Sequence, residues 1–152
     1  MKKILIIILF LSIYSCGYSP IYTSNDIKFK INQIEINGDK KVNKFILKQI
    51  SRLRNNSSNN IYDLKIFSSK EINSISKDIK GNTKTFEMVI ETNIEIKKND
   101  KIIKEKTFSE SFNYNNTSNK FDLSQYERDI QENLIDKIVD NIIFTFDTLN
   151  DS

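Results

Sequence analysis

The sequence predicts an α+β domain in which two helices pack on one face of a four-stranded, largely antiparallel or mixed sheet, in the order β-α-β-β-β-α. Three observations lead there. Apolar and polar residues alternate from Phe86 to Ile96, the period-two signature of a half-buried strand. Two other segments repeat apolar residues at helical spacing, and polar turns punctuate the chain between these patterns. With 152 residues the chain suits one core, since single domains typically hold about 100–150 residues.

Ile27, Phe29 and Ile31 alternate, and Ile34 and Ile36 then alternate in the opposite phase. A first strand with a bulge near Asn32 and Gln33 explains the slip. Asn37-Gly38-Asp39 is a turn. Beyond it Val42, Phe45, Ile46, Gln49, Ile50 and Leu53 recur at helical spacing, with Lys and Arg on the other side. The polar stretch 55–60 breaks this helix, and Tyr62, Leu64 and Ile66 start a second strand. Residues 68–80 carry no clear period.

After Gly81-Asn82, the residues Phe86, Met88, Ile90, Thr92, Ile94 and Ile96 share one strand face. Thr85, Glu87, Glu91, Asn93 and Glu95 lie opposite. Lys98-Asn99-Asp100-Lys101 supplies a hairpin turn into a fourth strand, which carries Phe108, Phe112 and Tyr114 on one face. A polar loop spans 115–120. Ser124 and Glu127 form a capping-box pattern around Leu123, Tyr126, Ile130, Leu134, Ile138 and Ile142, a long final helix with Phe144 and Phe146 near its end. The stripe from Tyr126 to Ile138 is expected to serve the core.

Composition excludes more than it selects. The 38% hydrophobic and 28% charged residues are an ordinary globular balance. With no His, no Trp and one Cys, the chain lacks parts for a zinc site, an imidazole-based triad or a disulfide framework. No catalytic residue, metal ligand or cofactor is therefore expected. Glu91 and Glu95 recur on one strand face, yet four strand residues span about 13 Å, too far for joint acid and base work. The glycines at 17, 38 and 81 are too scattered to cradle phosphate.

The N-terminus reads as a processing signal. Lys2 and Lys3 precede an unbroken apolar run from Ile4 to Leu11, a charged region followed by a hydrophobic one. The run would extend about 12 Å as a helix, whereas a bilayer span needs roughly 20 apolar residues. It ends at Ile13-Tyr14-Ser15-Cys16-Gly17, which resembles a bacterial lipobox. Residues 1–15 are then a lipoprotein signal peptide, Cys16 is the lipidation site, 16–26 form an extended lead containing Pro20, and 27–147 form the single domain. Without Lys2 and Lys3, 21 of the 23 basic side chains remain against 20 acidic ones, so charge gives no reason to expect a nucleic-acid partner. The covalent N-terminal lipid is the membrane element, because each buried methylene adds about 0.8 kcal/mol and several acyl chains hold a protein at a bilayer. Residue 17 is Gly rather than the Asp that retains such products at the inner membrane, so outer-membrane delivery is expected, with the body facing the periplasm.

Four features together resemble the lipopolysaccharide-assembly lipoprotein family (LptE-like). They are Cys16-Gly17-Tyr18-Ser19-Pro20-Ile21-Tyr22 after the lipobox, the strand, turn and strand from Ser76 through Lys80-Gly81-Asn82 to Ile96, the aromatic strand end at Phe108, Phe112 and Tyr114, and a terminal helix opening Tyr126-Glu127-Arg128-Asp129. The resemblance implies a non-enzymatic plug in the lumen of a large outer-membrane β-barrel, the lipopolysaccharide translocon, which the plug helps to assemble while binding lipopolysaccharide. It also implies that Lys80, Lys84 and Lys120 stand where the family's phosphate-contacting basic residues stand. In a chain with 20 lysines, a turn lysine is ordinarily a solvated charge, and both readings stand at this point. The competing function is an auxiliary or substrate-binding lipoprotein of another envelope transport system.

Replacing Cys16 by Ser is expected to block lipidation and leave the signal uncleaved by the lipoprotein signal peptidase. Mass spectrometry of the mature wild-type chain checks this, and a free thiol at Cys16 would refute it.

Overall fold

The alternation along 86–96 makes a strand with one apolar face, and everything else is arranged to cover that face. The computed structural model describes residues 29–51 and 58–150. Its elements are β1 (Lys30–Gly38), α1 (Lys40–Ile50), β2 (Ile61–Lys77), β3 (Thr83–Lys98), β4 (Lys101–Asn115) and α2 (Lys120–Asn150). The strands form one sheet in the order β1-β2-β3-β4. β1 pairs with β2 in parallel, and both remaining pairs are antiparallel. The α+β class, the mixed sheet and the order β-α-β-β-β-α are those expected from the sequence. The signal peptide, Cys16, the lead 16–26 and the helix end at Leu53 lie outside the described residues.

The phase slip in β1 is a bulge. Its register shifts between Ile31 and Gln33, which leaves Asn32 out of the ladder and returns Ile34 and Ile36 to the side of Ile31. Asn32 Nδ2 donates to Asp63 Oδ1 at 3.0 Å.

A parallel pair needs a crossover, and α1 provides it through a junction centred on Ser68. Gly38 ends β1 at φ +106°, directly opposite Ser68. Asp39 N donates to the Ser68 carbonyl at 3.0 Å, and the Asp39 carboxylate caps α1 by accepting from Lys41 N and Val42 N, both at 2.9 Å. Ser68 Oγ in turn donates to Asn43 Oδ1 at 2.6 Å in a buried contact. Val42, Ile46 and Ile50 then face the core, and Gln49 Nε2 donates to Asp136 Oδ1 of α2.

β2 runs on through residues 68–77, where the sequence shows no period. Its partners there are Thr92 back to Thr83. The missing alternation has a physical cause: beyond Ser68 the strand is largely exposed on both faces, so neither face had to be written in apolar residues. The β3–β4 hairpin turns as expected. Asn99 and Asp100 both adopt positive φ, 52° and 62°, the conformation of a tight primed turn that these residue types tolerate.

The start of α2 differs from expectation. Asn119, not Ser124, caps it, with Oδ1 accepting from Phe121 N at 3.1 Å. Ser124 lies inside the helix and Glu127 is engaged elsewhere, because an equally good cap five residues upstream starts the helix first. Leu123, Ile130, Leu134, Ile138 and Ile142 are buried, as expected. Tyr126 is instead 45% exposed, its ring edge-on to Tyr114 at 6.3 Å. Phe112 is also exposed, whereas Phe108 and Tyr114 of the same row are buried. At the far end Phe146 is fully buried and stacks on Phe29 at 4.5 Å. No helix among the described residues is long and apolar enough to cross a membrane.

Tyr114 Oη donates to Glu127 Oε1 at 2.8 Å and so ties β4 to α2. Burial, and then the Glu127 hydrogen bond and charge, push the Tyr114 hydroxyl above its ordinary value, and burial raises that of Tyr62. A raised folded value means that the stabilisation is complete below the unfolded value near 10 and is lost as pH climbs through the folded one. Tyr114→Phe is expected to cost about 1–2 kcal/mol at neutral pH and to reduce the alkaline fall in stability, leaving the part due to Tyr62. Urea titrations across the alkaline range test it, and an unchanged alkaline slope would contradict it.

Gly38 and Gly81 give a paired prediction. A Cβ on Gly38 would stand 1.8 Å from the Ser68 carbonyl oxygen, whereas one on Gly81 meets nothing within 4 Å. Gly38→Ala is expected to lower stability by at least about 3 kcal/mol, and Gly81→Ala, which has only its φ of +83° to contend with, by about 1 kcal/mol. The shift in urea midpoint measures both.

Candidate functional site

Two surfaces emerge from this fold: the tip of the β2–β3 hairpin and the uncovered face of the sheet. At the tip the chain turns through Asp78–Asn82 around one carboxylate. Asp78 accepts from Lys80 N at 2.8 Å, from Asn82 N at 2.9 Å and from Asn82 Nδ2 at 3.1 Å. The Asn82 side-chain bond and then the backbone bonds hold the Asp78 carboxyl below its ordinary value. A hydroxyl ladder braces the stem, with Ser74 and Thr83 oxygens 2.9 Å apart and Ser76 Oγ donating to Thr85 Oγ1 at 2.8 Å.

Lys80 is exposed in this turn, Lys84 is exposed at the start of β3, and Lys120 is exposed in the first turn of α2. The structure brings Lys84 and Lys120 together through Asn116. Asn116 N donates to the Lys84 carbonyl at 2.8 Å, and its Nδ2 donates to the Thr83 carbonyl at 2.8 Å. Lys120 Nζ donates back to Asn116 Oδ1 at 3.0 Å and to the Thr117 carbonyl at 3.3 Å. Lys80 occupies the neighbouring turn, so the three sequence-selected lysines share one end of the sheet. Lys84 and Lys80 project freely, while Lys120 spends part of its donor capacity on the loop.

Sequence reasoning missed two apolar side chains at the same end. Ile79 is fully exposed beside Lys80, and Phe121 is 76% exposed beside Lys120. Their adjacency to the lysines was visible in the sequence; their exposure was not, because both could have been core residues. Cations next to uncovered apolar groups match the chemistry of an anionic amphiphile.

The second surface is the face turned away from the helices. Along it Glu87, Val89, Glu91, Asn93 and Glu95 of β3 stand between Asn73, Glu71, Ser69, Phe67 and Lys65 of β2 and Asn113, Ser111, Ser109, Thr107 and Glu105 of β4. Asn93 Nδ2 donates to Thr107 Oγ1 at 3.0 Å, and Lys65 Nζ pairs with Glu95 at 3.9 Å. Phe67, 58% exposed, and Val89 interrupt an otherwise polar ladder. Glu91 is exposed and Glu95 is held by Lys65, an arrangement of solvated carboxylates rather than an acid and base pair. Among the described residues no cluster of three His, Cys, Asp or Glu could hold a metal ion.

No family model and no curated protein matches the chain. Solved structures do. Rare lipoprotein B from Shewanella oneidensis matches at 15% identity with a TM-score of 0.56, over 78% of this chain and 99% of that one. A minor lipoprotein from Acinetobacter baumannii matches at 12% identity with a TM-score of 0.57, over 78% and 92%. A putative neuraminyllactose-binding hemagglutinin homolog from Helicobacter pylori matches at 14% identity with a TM-score of 0.53, over 83% and 88%. At these identities the likeness concerns the fold: the chain has the α+β fold of rare lipoprotein B and of the minor lipoprotein that matches it.

Proposed function

We propose that this protein is a non-enzymatic outer-membrane lipoprotein that seats in the lumen of the lipopolysaccharide translocon barrel, helps that barrel to assemble, and binds lipopolysaccharide at its tip. The observation that carries the reading is the division of the sheet into two unlike faces. One face is closed by α1 and α2, while the other offers a ladder of Glu, Asn, Ser and Thr to whatever stands opposite. A barrel lumen is polar, so such a face can enter it with little apolar area stranded beyond Phe67 and Val89. The lipid on Cys16 would hold the body at the membrane, and the tip lysines would meet phosphate groups through charge-assisted hydrogen bonds. The resemblance around the lipobox and the terminal helix supports the same family, as does the fold shared with rare lipoprotein B.

A combined Lys80→Glu, Lys84→Glu and Lys120→Glu variant tests the tip. Each contact contributes about 1.5–3 kcal/mol when desolvated and far less when screened. The variant is expected to bind lipopolysaccharide at least about tenfold more weakly, to raise envelope permeability, and still to co-purify with the barrel from outer membranes through a C-terminal tag. Equal binding by variant and parent at physiological salt would return the lysines to solvated turn charges. Co-purification of the parent with inner-membrane components instead of a barrel would favour an auxiliary lipoprotein of another transport system.

A further inference from the structure

A cleft of about 320 Å³ opens where the first turns of α1, the middle of β2 and the first turns of α2 meet. Lys41, Lys44, Lys70 and Arg128 line it, drawn from three elements. Among the described residues none of the four has a carboxylate within ion-pair distance. Glu127 is the one acidic residue in the lining, and it accepts the Tyr114 hydroxyl. The nearby Asp39 carboxylate is taken up by the backbone of α1.

Two features of this cluster run against local preference. Lys40, Lys41 and Lys44 begin α1, which has no acidic residue in its first turn, although the positive end of a helix favours anions. Lys70 stands on the helix-facing row of β2, after Tyr62, Leu64, Ile66 and Ser68 and directly opposite the fully buried Ile90. Lys70 is half-buried there, and a partly desolvated cation gains from a counterion. Here its Nζ instead donates to the neutral Oε1 of Gln131 at 2.8 Å, and Gln131 is itself buried. The ammonium is thus positioned without being neutralised. Local sequence choices that oppose the fold are expected at functional sites.

The geometry points to a second anion site in this cleft, built for a phosphate monoester or a similarly dianionic group. A phosphate monoester carries a charge of about −1.5 to −2 and three acceptor oxygens at neutral pH, which suits several converging donors better than a single carboxylate does. The volume exceeds that of a phosphate, leaving room for the headgroup or sugar that bears it. Lys70 pairs with Ile90, six residues along β3 from Lys84, a separation of about 20 Å. The cleft is therefore a site apart from the tip and does not depend on the reading given above for the tip.

The test uses the lipid-anchored full chain in uncharged detergent micelles, titrated calorimetrically with inorganic phosphate and, separately, with dihexanoyl phosphatidic acid against dihexanoyl phosphatidylcholine. The Lys44→Gln, Lys70→Gln variant is expected to bind at least about tenfold more weakly than the parent, while a Lys80→Gln, Lys84→Gln, Lys120→Gln variant keeps cleft binding. Binding of inorganic phosphate that the cleft variant loses identifies a free anion as sufficient. Binding of the phosphatidic acid alone, again lost in the cleft variant, identifies a lipid headgroup as the source. Equal heats for parent and cleft variant, loss that follows the tip variant, or binding of a polyglutamate peptide without either phosphate would overturn the assignment. If Lys70→Gln disturbs the circular dichroism spectrum, Lys44→Gln alone decides, because Lys44 is exposed and its loss opens no buried space.

Discussion

The parallel crossover closes at Ser68, and most of what distinguishes this molecule depends on that closure. One residue receives the Asp39 amide, donates to Asn43, and lies against a glycine that could not be anything larger. The three contacts fix where β1 stops, where α1 starts and how far α1 lies from β2. Because α1 is held there, its first turn overhangs Lys70 and faces the opening turns of α2. Because β1 is stopped there, β2 continues with one edge unpaired. The cleft and the projecting hairpin are both products of ending the parallel pair at that position.

Energetically the sheet works through one face. Met88, Ile90, Ile94 and Ile96 of β3 are essentially inaccessible, as are Leu64 and Ile66 of β2 and Ile135, Ile138 and Ile142 of α2. Each fully buried aliphatic side chain contributes roughly 1.5–3 kcal/mol, offset by the conformational entropy lost on ordering the chain. Thr92 is the exception in this layer: it is fully buried, and its hydroxyl finds no partner among the described residues. Valine has nearly the same shape, so the structure gives no packing reason for the hydroxyl.

How much of this was legible depended on whether a contact left a local mark. The bulge after Ile31 was legible because skipping one residue reverses the apolar phase, and the β3–β4 turn because Asn99 and Asp100 are types that tolerate positive φ. The second half of β2 was not, since a strand exposed on both faces has no period to read. The cap of α2 was misplaced because Asn119 sits among other asparagines that could have served equally. At the tip, Lys80, Lys84 and Lys120 each lie in or beside a turn, so pairing of β2 with β3 about Gly81 could be expected to gather them, whereas the part played by Asn116 in joining Lys84 to Lys120 left no mark. The cleft left only scattered local marks, lysines at the start of α1 and one on an apolar strand row, because Lys41, Lys70 and Arg128 are far apart in the chain and only the crossover unites them.

The same crossover divides the conformational search unequally. β2, β3 and β4 are joined by tight turns at 78–82 and 99–100, so each pairing closes a short loop and grows by adding neighbours. β1 must instead find partners across the whole helical connection, as Gly38 and Ser68 do from positions 38 and 68, and pairing of that kind is intrinsically slower. The antiparallel meander is the cheap nucleus, and the β1–α1 unit is the late addition. The late unit is also the one nearest the N-terminal end of the chain, so any pull transmitted from that end acts first on the segment whose docking is the slowest to recover.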